Sequence, residues 1–198
     1  MDEASLIRQA QRGDMRAFNV LVRAHQSTVY NVAYRILGES EAAADVAQEA
    51  FLNAYRAIGT FDGGSFRAWL MRIATNACYD QLRYQQRRPA TSLEDMVPDP
   101  DMAEPSPALI DRGESPEDYT LRQELSRLME RGLQTLPPDQ RVTLVLSDIQ
   151  GYSYEEIATA TGVELGTVKS RLSRARARMR DFLVTQRELL PAAYRLGS

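Results

Sequence analysis

The stretch Gly151 to Arg180, GYSYEEIATATGVELGTVKSRLSRARARMR, constrains the fold more than any other part of the 198-residue chain. Ser153 followed three residues later by Glu156 has the spacing of a capping box, in which each side chain satisfies a backbone N–H near the other. A helix is therefore expected to begin at Tyr154 and to end at Gly162. A second helix is expected from about Thr167 past Arg180, because Val168, Leu172, Ala175 and Met179 recur at spacings of four, three and four and share one apolar face. At about 100° per residue, Ser170, Ser173 and Arg174 then point outward, with Lys169, Arg176 and Arg180 on one flank and Arg171 and Arg178 on the other. Between Leu165 and Arg180 lie six basic residues and no acidic one. A merely solvated helix face interleaves Glu with Arg and Lys to gain i,i+4 pairs, and this one does not. Two helices joined at a glycine, the second basic on its outer face, is the arrangement of a helix-turn-helix, whose second helix lies in the DNA major groove.

The rest of the chain reads as helix throughout. Residues 3 to 36 place Leu6, Ile7 and Ala10, then Ala17, Phe18, Leu21 and Val22, then Val29, Val32, Ala33 and Ile36 at helical period. Gly13-Asp14 divides this stretch into a short and a long helix, and Gly38 is the expected C-terminal cap of the long one. A third helix is expected from about Glu41 to Ile58, with Val46, Ala50, Ala54 and Ala57 on its apolar stripe. GTFDGG at 59–64 is a loop. Ser65 then caps a fourth helix, carrying Phe66, Trp69, Leu70, Ile73, Ala77 and Leu82, which ends in the basic residues Arg83, Arg87 and Arg88 before Pro89. Further helices are expected over 119–136 and 139–149. No stretch alternates with period two, so the fold class is all-α.

Net charge divides the chain into blocks. Basic residues outnumber acidic ones 11 to 9 over residues 1–88 and 12 to 9 over 119–198, whereas residues 89–118 hold nine acids, one arginine and six prolines. That middle segment has the composition of an extended or disordered linker. The expected organisation is two small helical domains, 1–88 and 119–185, joined by an acidic linker at 89–118 and followed by a tail at 186–198. The overall charge of −3 therefore says little about what the folded parts bind.

Several function classes find no support. No apolar run reaches the length that spans a bilayer, and MDEASLIRQAQRGD has neither the basic start nor the apolar core of a signal peptide, so a cytoplasmic location without membrane insertion is expected. The single cysteine, Cys78, cannot form an internal disulfide and reads as helix packing; the single histidine, His25, reads as a surface or packing residue. No phosphate-binding glycine loop, Ser/His/Asp set or HExxH motif occurs. No catalytic residue, metal or cofactor is expected.

Four stretches in order resemble one family: AFNVLVRAH, DVAQEAFLNAYRAIGTF, SFRAWLMRIATNACYDQLRYQQRRP, and LPPDQRVTLVLSDIQGYSYEEIATATGVELGTVKSRLSRARARMR. Together they resemble the extracytoplasmic-function (ECF) sigma factors, promoter-recognition subunits of bacterial RNA polymerase. The resemblance implies that residues 1–88 are the sigma region 2 domain, which binds the polymerase clamp and recognises and melts the -10 element. It implies equally that residues 119–185 are the region 4 domain, which reads the -35 element. The implied partners are core polymerase, through the clamp helices of its large catalytic subunit and the flap of the other large subunit, and promoter DNA. Many relatives are also held inactive by an anti-sigma factor.

The same resemblance distributes roles. Asp45, Gln48, Glu49 and Phe51 would dock on the clamp helices, acidic and amide groups beside an aromatic suiting an arginine-rich partner; Phe51 is alternatively core. Asn76 would line a pocket for a base extruded from the non-template strand, its amide offering both a donor and an acceptor. Arg83, Arg87 and Arg88 would hold phosphates. Trp69 invites an unstacking role but shares the apolar seam with Ile73, which reads as core. Lys169, Ser170, Ser173 and Arg174 would read the groove, with Arg171, Arg176 and Arg178 on phosphates. The linker would thread the basic channel through which RNA leaves, or serve only as a solvated tether. Three departures stand out: Ala42, Ala43 and Ala44 where relatives commonly carry acids, Glu164 where they often carry proline, and a loop at Asp62-Gly63-Gly64 one residue shorter than in many.

Overall fold

The computed structural model describes residues 2–87 and 116–186, with the side chains of residues 116–118 left aside. The linker core, Arg88 and the tail beyond Gln186 lie outside the described residues. Every regular element among those described is helical, as expected: α1 (Glu3–Gln11), α2 (Met15–Leu37), α3 (Ser40–Ala57), α4 (Phe66–Arg87), α5 (Pro116–Gln134), α6 (Pro138–Leu144), α7 (Tyr154–Thr161) and α8 (Leu165–Thr185).

Local chemistry sets most boundaries. Asp14 caps α2 by accepting from the Arg16 and Ala17 N–H groups at 2.8 and 3.2 Å, and Gly38 closes it in the left-handed conformation, φ 82°. The Ser65 hydroxyl accepts from the Ala68 N–H at 3.1 Å and starts α4. α5 begins at Pro116 rather than near Tyr119; proline suits a first helical turn, whose N–H groups have no intrahelical partner. α8 likewise begins at Leu165, two residues before the apolar periodicity becomes visible. The helix expected over 139–149 is not uniform: after Leu144 it widens into a π-helical turn, Val145–Ile149, in which the Gln150 N–H donates to the Val145 carbonyl five residues back at 3.0 Å. Gly151, φ 68°, ends it, and the Tyr152 N–H reaches back to the Leu146 carbonyl at 3.0 Å.

Helices α1 to α4 form one bundle, with α2 packed between α1 and α3 and α4 against α3 and α2. Its core holds Phe18, Leu21, Val29, Val32, Ile36, Val46, Leu70 and Met71. Phe61, Phe66 and Trp69 form an aromatic cluster with ring centroids 5.5–5.6 Å apart, so Trp69 packs against the core as its seam position indicated. His25 lies against Phe66, with 5.5 Å between ring centroids, and contacts Glu3 at 3.1 Å. In the second group, α8 packs on α6, α7 and α5 through Val168, Leu172, Ala175 and Met179, all buried. This group rests on the first along α4 and the C-terminal end of α2, and the buried apolar core runs without a break through both.

Candidate nucleic-acid interface

The turn that presents α8 is built as its sequence indicates. Ser153 Oγ accepts from the Glu156 N–H at 3.2 Å while Glu156 Oε2 accepts from the Ser153 N–H at 2.9 Å, closing the capping box. The Ser153 N–H holds the Glu156 carboxyl below the usual carboxylate range. Gly162, φ 68°, ends α7 with its N–H donating to the Ala158 carbonyl at 2.9 Å. Three residues later α8 begins. Its Val168, Leu172, Ala175 and Met179 face inward, and Lys169, Ser170, Ser173, Arg174, Arg176, Arg178 and Arg180 are exposed. The outer face therefore carries the residues that periodicity placed there.

Two of its arginines are already engaged. Arg176 forms a fork with Asp148, Nε to Oδ2 at 2.9 Å and Nη2 to Oδ1 at 2.7 Å. The Arg176 hydrogen bonds hold the Asp148 carboxyl below its ordinary range, against the opposing effect of burial. Arg171 donates to Asp139 Oδ2 at 2.6 Å. The charge along α8 is unmixed in sequence but partly balanced in space, by acids from α6 and the π turn. No described acid pairs with Lys169, Arg174, Arg178 or Arg180. The positive field of the outer face thus centres on those four, with Arg171 and Arg176 held back by carboxylates.

On α4, Asn76 is exposed beside Thr75, which is fully buried. Arg83 and Arg87 are exposed farther along, Arg83 paired with Asp80 at 3.1 Å one turn back. Arg88 lies outside the described residues. Cys78 is fully buried, as the packing reading anticipated but more completely, and burial pushes its thiol up to about 12.

On α3, Asp45, Gln48 and Glu49 are exposed along one side. Phe51 is half-buried: it packs against the core yet also lines a surface hollow of about 390 Å³ with Val22, Tyr30, Ala47 and Gln48. The run Ala42-Ala43-Ala44 has a packing explanation, since Ala42 and Ala43 are buried against the bundle and a carboxylate at either would lose its water. Only Ala44 is exposed.

Several polar residues that sequence reasoning passed over matter here: Arg67, Thr75, Gln134 and Arg141 join the two groups of helices, and the acids Asp139 and Asp148 hold arginines of α8. No local signal marks them, because their partners lie 28 to 105 residues away in sequence.

Residues 21–88 match the family Sigma-70 region 2, and residues 126–179 match Sigma-70, region 4. The RNA polymerase sigma-H factor of Pseudomonas aeruginosa is 42% identical over 175 residues, 88% of this chain and 90% of that protein. The ECF RNA polymerase sigma-E factor of Escherichia coli is 40% identical over 172 residues, 86% and 88% of the two chains. Among solved structures, CnrH in complex with the cytosolic domain of CnrY is similar with a TM-score of 0.66 at 29% identity, covering 91% of this chain and 96% of that one. The sigma factor RpoE of Bartonella quintana, solved with the anti-sigma factor NepR, shares the fold with a TM-score of 0.65 at 24% identity, over 86% and 98%. No helix among the described residues is long and apolar enough to cross a membrane. Matched in both regions and along most of its length, the chain belongs to the extracytoplasmic-function family of sigma factors, which direct RNA polymerase to promoters to initiate transcription.

Proposed function

We propose that residues 1–88 dock on core polymerase and open the -10 element, that residues 119–185 read the -35 element, and that the factor acts in the cytoplasm without catalysis of its own. The observation that carries this division is the separation of two chemically distinct exposed faces. Asp45, Gln48 and Glu49 line α3 beside the hollow at Phe51, an acidic and amide edge around an aromatic, suited to an arginine-bearing helix of the polymerase clamp. Lys169, Ser170, Ser173 and Arg174 line the outer face of α8, a cationic and hydroxyl surface suited to phosphates and base edges.

Between these faces, Asn76 on α4 is the residue for capturing an extruded base, while Arg83, Arg87 and Arg88 position the strand. Binding to core supplies the free energy that unstacking requires. Because α8 alone would bind mainly through phosphates, selectivity depends on polymerase placing it. The likeness in fold to the sigma factor RpoE, solved with the anti-sigma factor NepR, supports an anti-sigma factor as a further partner.

Reconstitution tests the proposal. Purified core polymerase is mixed with this protein and a fragment library, and run-off transcripts are sequenced. Transcripts starting downstream of one shared pair of elements are expected, together with loss of core binding on Asp45→Arg/Glu49→Arg. Failure of the protein to join core, or initiation at random positions, overturns it.

A further inference from the structure

Among the described residues of α4, one aromatic ring is left largely open. Tyr84 is 50% exposed, whereas Phe66 on the same helix is buried and Trp69 and Tyr79 pack against the core. At about 100° per residue, Arg83 and Arg87 fall within about 20° of Asn76 around the helix axis, Asp80 lies about 40° away and Tyr84 about 80°. All five side chains are exposed and form one outward surface. A long helical side chain lies over the turn preceding its own Cα, which carries the Tyr84 ring towards Asn76. Asp80 is paired with Arg83 at 3.1 Å, so the acid on this surface is answered within it and the arginines leave a net positive charge. The opposite side of the same turn is fixed: Leu82 packs against the core and Gln85 Nε2 donates to Glu39 Oε2 at 3.4 Å. The ring is therefore presented on an anchored stretch of helix.

A single exposed apolar side chain is ordinary on a protein surface and by itself calls for no partner. The chemistry around Tyr84 is more selective. Arginines interleaved with an aromatic on one surface are the elements with which proteins hold single-stranded nucleic acid: the cations follow the phosphates and the ring takes the face of a base. Asn76 supplies a donor and an acceptor for the edge of an extruded base, but an amide cannot replace the stacking lost by the bases next to a flipped one. A ring can, and it does so for any base, because every base has a π-face. Another arginine at this position would add charge to the surface without that contact; tyrosine adds the contact without charge.

We propose that Tyr84 stacks on an unpaired base of the opened -10 strand, about two to four nucleotides from the base held at Asn76. This rests on the function proposed above, in which α4 engages the non-template strand. Eight residues of helix separate the two side chains, about 12 Å along the axis, and the lean of the ring shortens that span. Stacked nucleotides advance about 3.4 Å along one strand. Asn76 then carries sequence preference, Arg83 and Arg87 neutralise phosphates, and Tyr84 supplies a sequence-tolerant grip that slows reannealing. The occupant is single-stranded DNA rather than duplex, whose bases keep one another's faces covered.

Photocrosslinking on holoenzyme assembled with the full chain tests this. 5-Iodouracil, which couples to aromatic side chains in stacking contact, replaces one base at a time in the non-template strand of a promoter found by the run-off sequencing. A crosslink to the Tyr84 peptide is expected at one position, about two to four nucleotides from the one whose opening depends on Asn76. Tyr84→Phe should keep the crosslink. Tyr84→Ala should lose it and shorten the open-complex lifetime about tenfold. The salt dependence and the urea midpoint of Tyr84→Ala should match wild type, since a ring neutralises no phosphate. A Tyr84→Ala open complex as long-lived as wild type, a crosslink to duplex DNA alone, or a loss of lifetime accompanied by a shallower salt slope overturns the stacking contact. Failure of the chain to join core would count against the proposed function, and the same crosslink between the free full chain and a single-stranded iodouracil oligonucleotide then decides Tyr84 by itself. It must be present in wild type and Tyr84→Phe and absent in Tyr84→Ala; any other pattern overturns the proposal.

Discussion

Arg176, on the helix proposed to face DNA, is held by Asp148 through two hydrogen bonds of 2.9 and 2.7 Å. A phosphate and this carboxylate would use the same fork of donors. With α8 on DNA as proposed, Asp148 would set how much of its positive charge is available to phosphates, so that an acid that raises stability would lower non-specific affinity.

Replacing Asp148 with Asn should cost about 1 kcal/mol of stability at pH 7, the scale of a partly exposed pair with good geometry. It should also steepen the dependence of log K on log salt for duplex DNA by about 0.9, one additional phosphate contact. The pH dependence has a definite sign. A carboxyl held below its unfolded pKa, here by Arg176, contributes stability that is present above about pH 3.9 and is lost as pH falls through its lower folded value. Urea titrations of both proteins should differ at pH 7 and converge in strong acid.

Arg174 and Lys169 are both exposed on α8 and have different capacities. The planar guanidinium fork of Arg174 matches the two acceptors of a guanine edge, a pairing worth roughly 1–3 kcal/mol of discrimination, whereas the flexible Lys169 ammonium acts mainly as a point charge. Arg174→Ala should weaken holoenzyme binding at one or two -35 base pairs and leave substituted sites unaffected. Lys169→Ala should weaken all sequences more evenly. Binding to a panel of single-base -35 variants separates the two patterns, and a uniform loss for Arg174→Ala would assign it to phosphate.

What was legible in the sequence is what is local. The Ser153–Glu156 capping box, the Ser65 cap and the glycine ends at Gly38 and Gly162 lie within four residues of their partners. The apolar faces of α2 and α8 follow from period alone. Read from α8 by itself, Arg171 and Arg176 are open to phosphates, because Asp139 and Asp148 approach from elements 32 and 28 residues away. The π turn at 145–149 was equally hidden, since no residue type specifies an added residue in a helical turn. Ala42 and Ala43 look like missing acids until burial shows them to be packing. Thr75 and Arg141 stand in ordinary helical positions, and only docking of the two halves reveals what they complete.

Cys78 is fully buried and its thiol is pushed up to about 12 by burial. At neutral pH the native thiolate fraction is negligible, and access is closed as well. Thiol reagents should leave the native protein unmodified over hours and react once per chain within minutes in strong denaturant. Rapid native modification, followed by mass spectrometry, would show that α4 opens at low cost.

Asn76 is exposed on α4, so its replacement should cost little stability, within about 0.5 kcal/mol. Asn76→Ala should nevertheless slow open-complex formation, read by permanganate reactivity of unpaired thymines, while -35 duplex binding is unchanged. Asn76→Asp should be worse, because it loses the amide donor and adds a negative charge beside DNA. Equal opening by all three proteins would remove the pocket role.

Gly132 offers a test of packing in which two effects of similar size compete. It lies on α5 where α8 crosses, and a Cβ there would sit 2.7 Å from Met179 Sδ, 2.8 Å from Met179 Cε and 2.8 Å from Phe182 Cδ1. Alanine in a helix interior is worth about 1 kcal/mol over glycine, whereas forcing a methyl into an occupied site costs about 1–3 kcal/mol. The crowding should win, so Gly132→Ala is expected to lower stability by about 1 kcal/mol. Met179→Ala removes two of the three clashing atoms. In that background the same Gly132→Ala change should become neutral or stabilising, a coupling that a double-mutant cycle by urea denaturation reads directly. Additive effects would mean that α5 yields by moving away from α8, and that the close approach at Gly132 does not fix their packing.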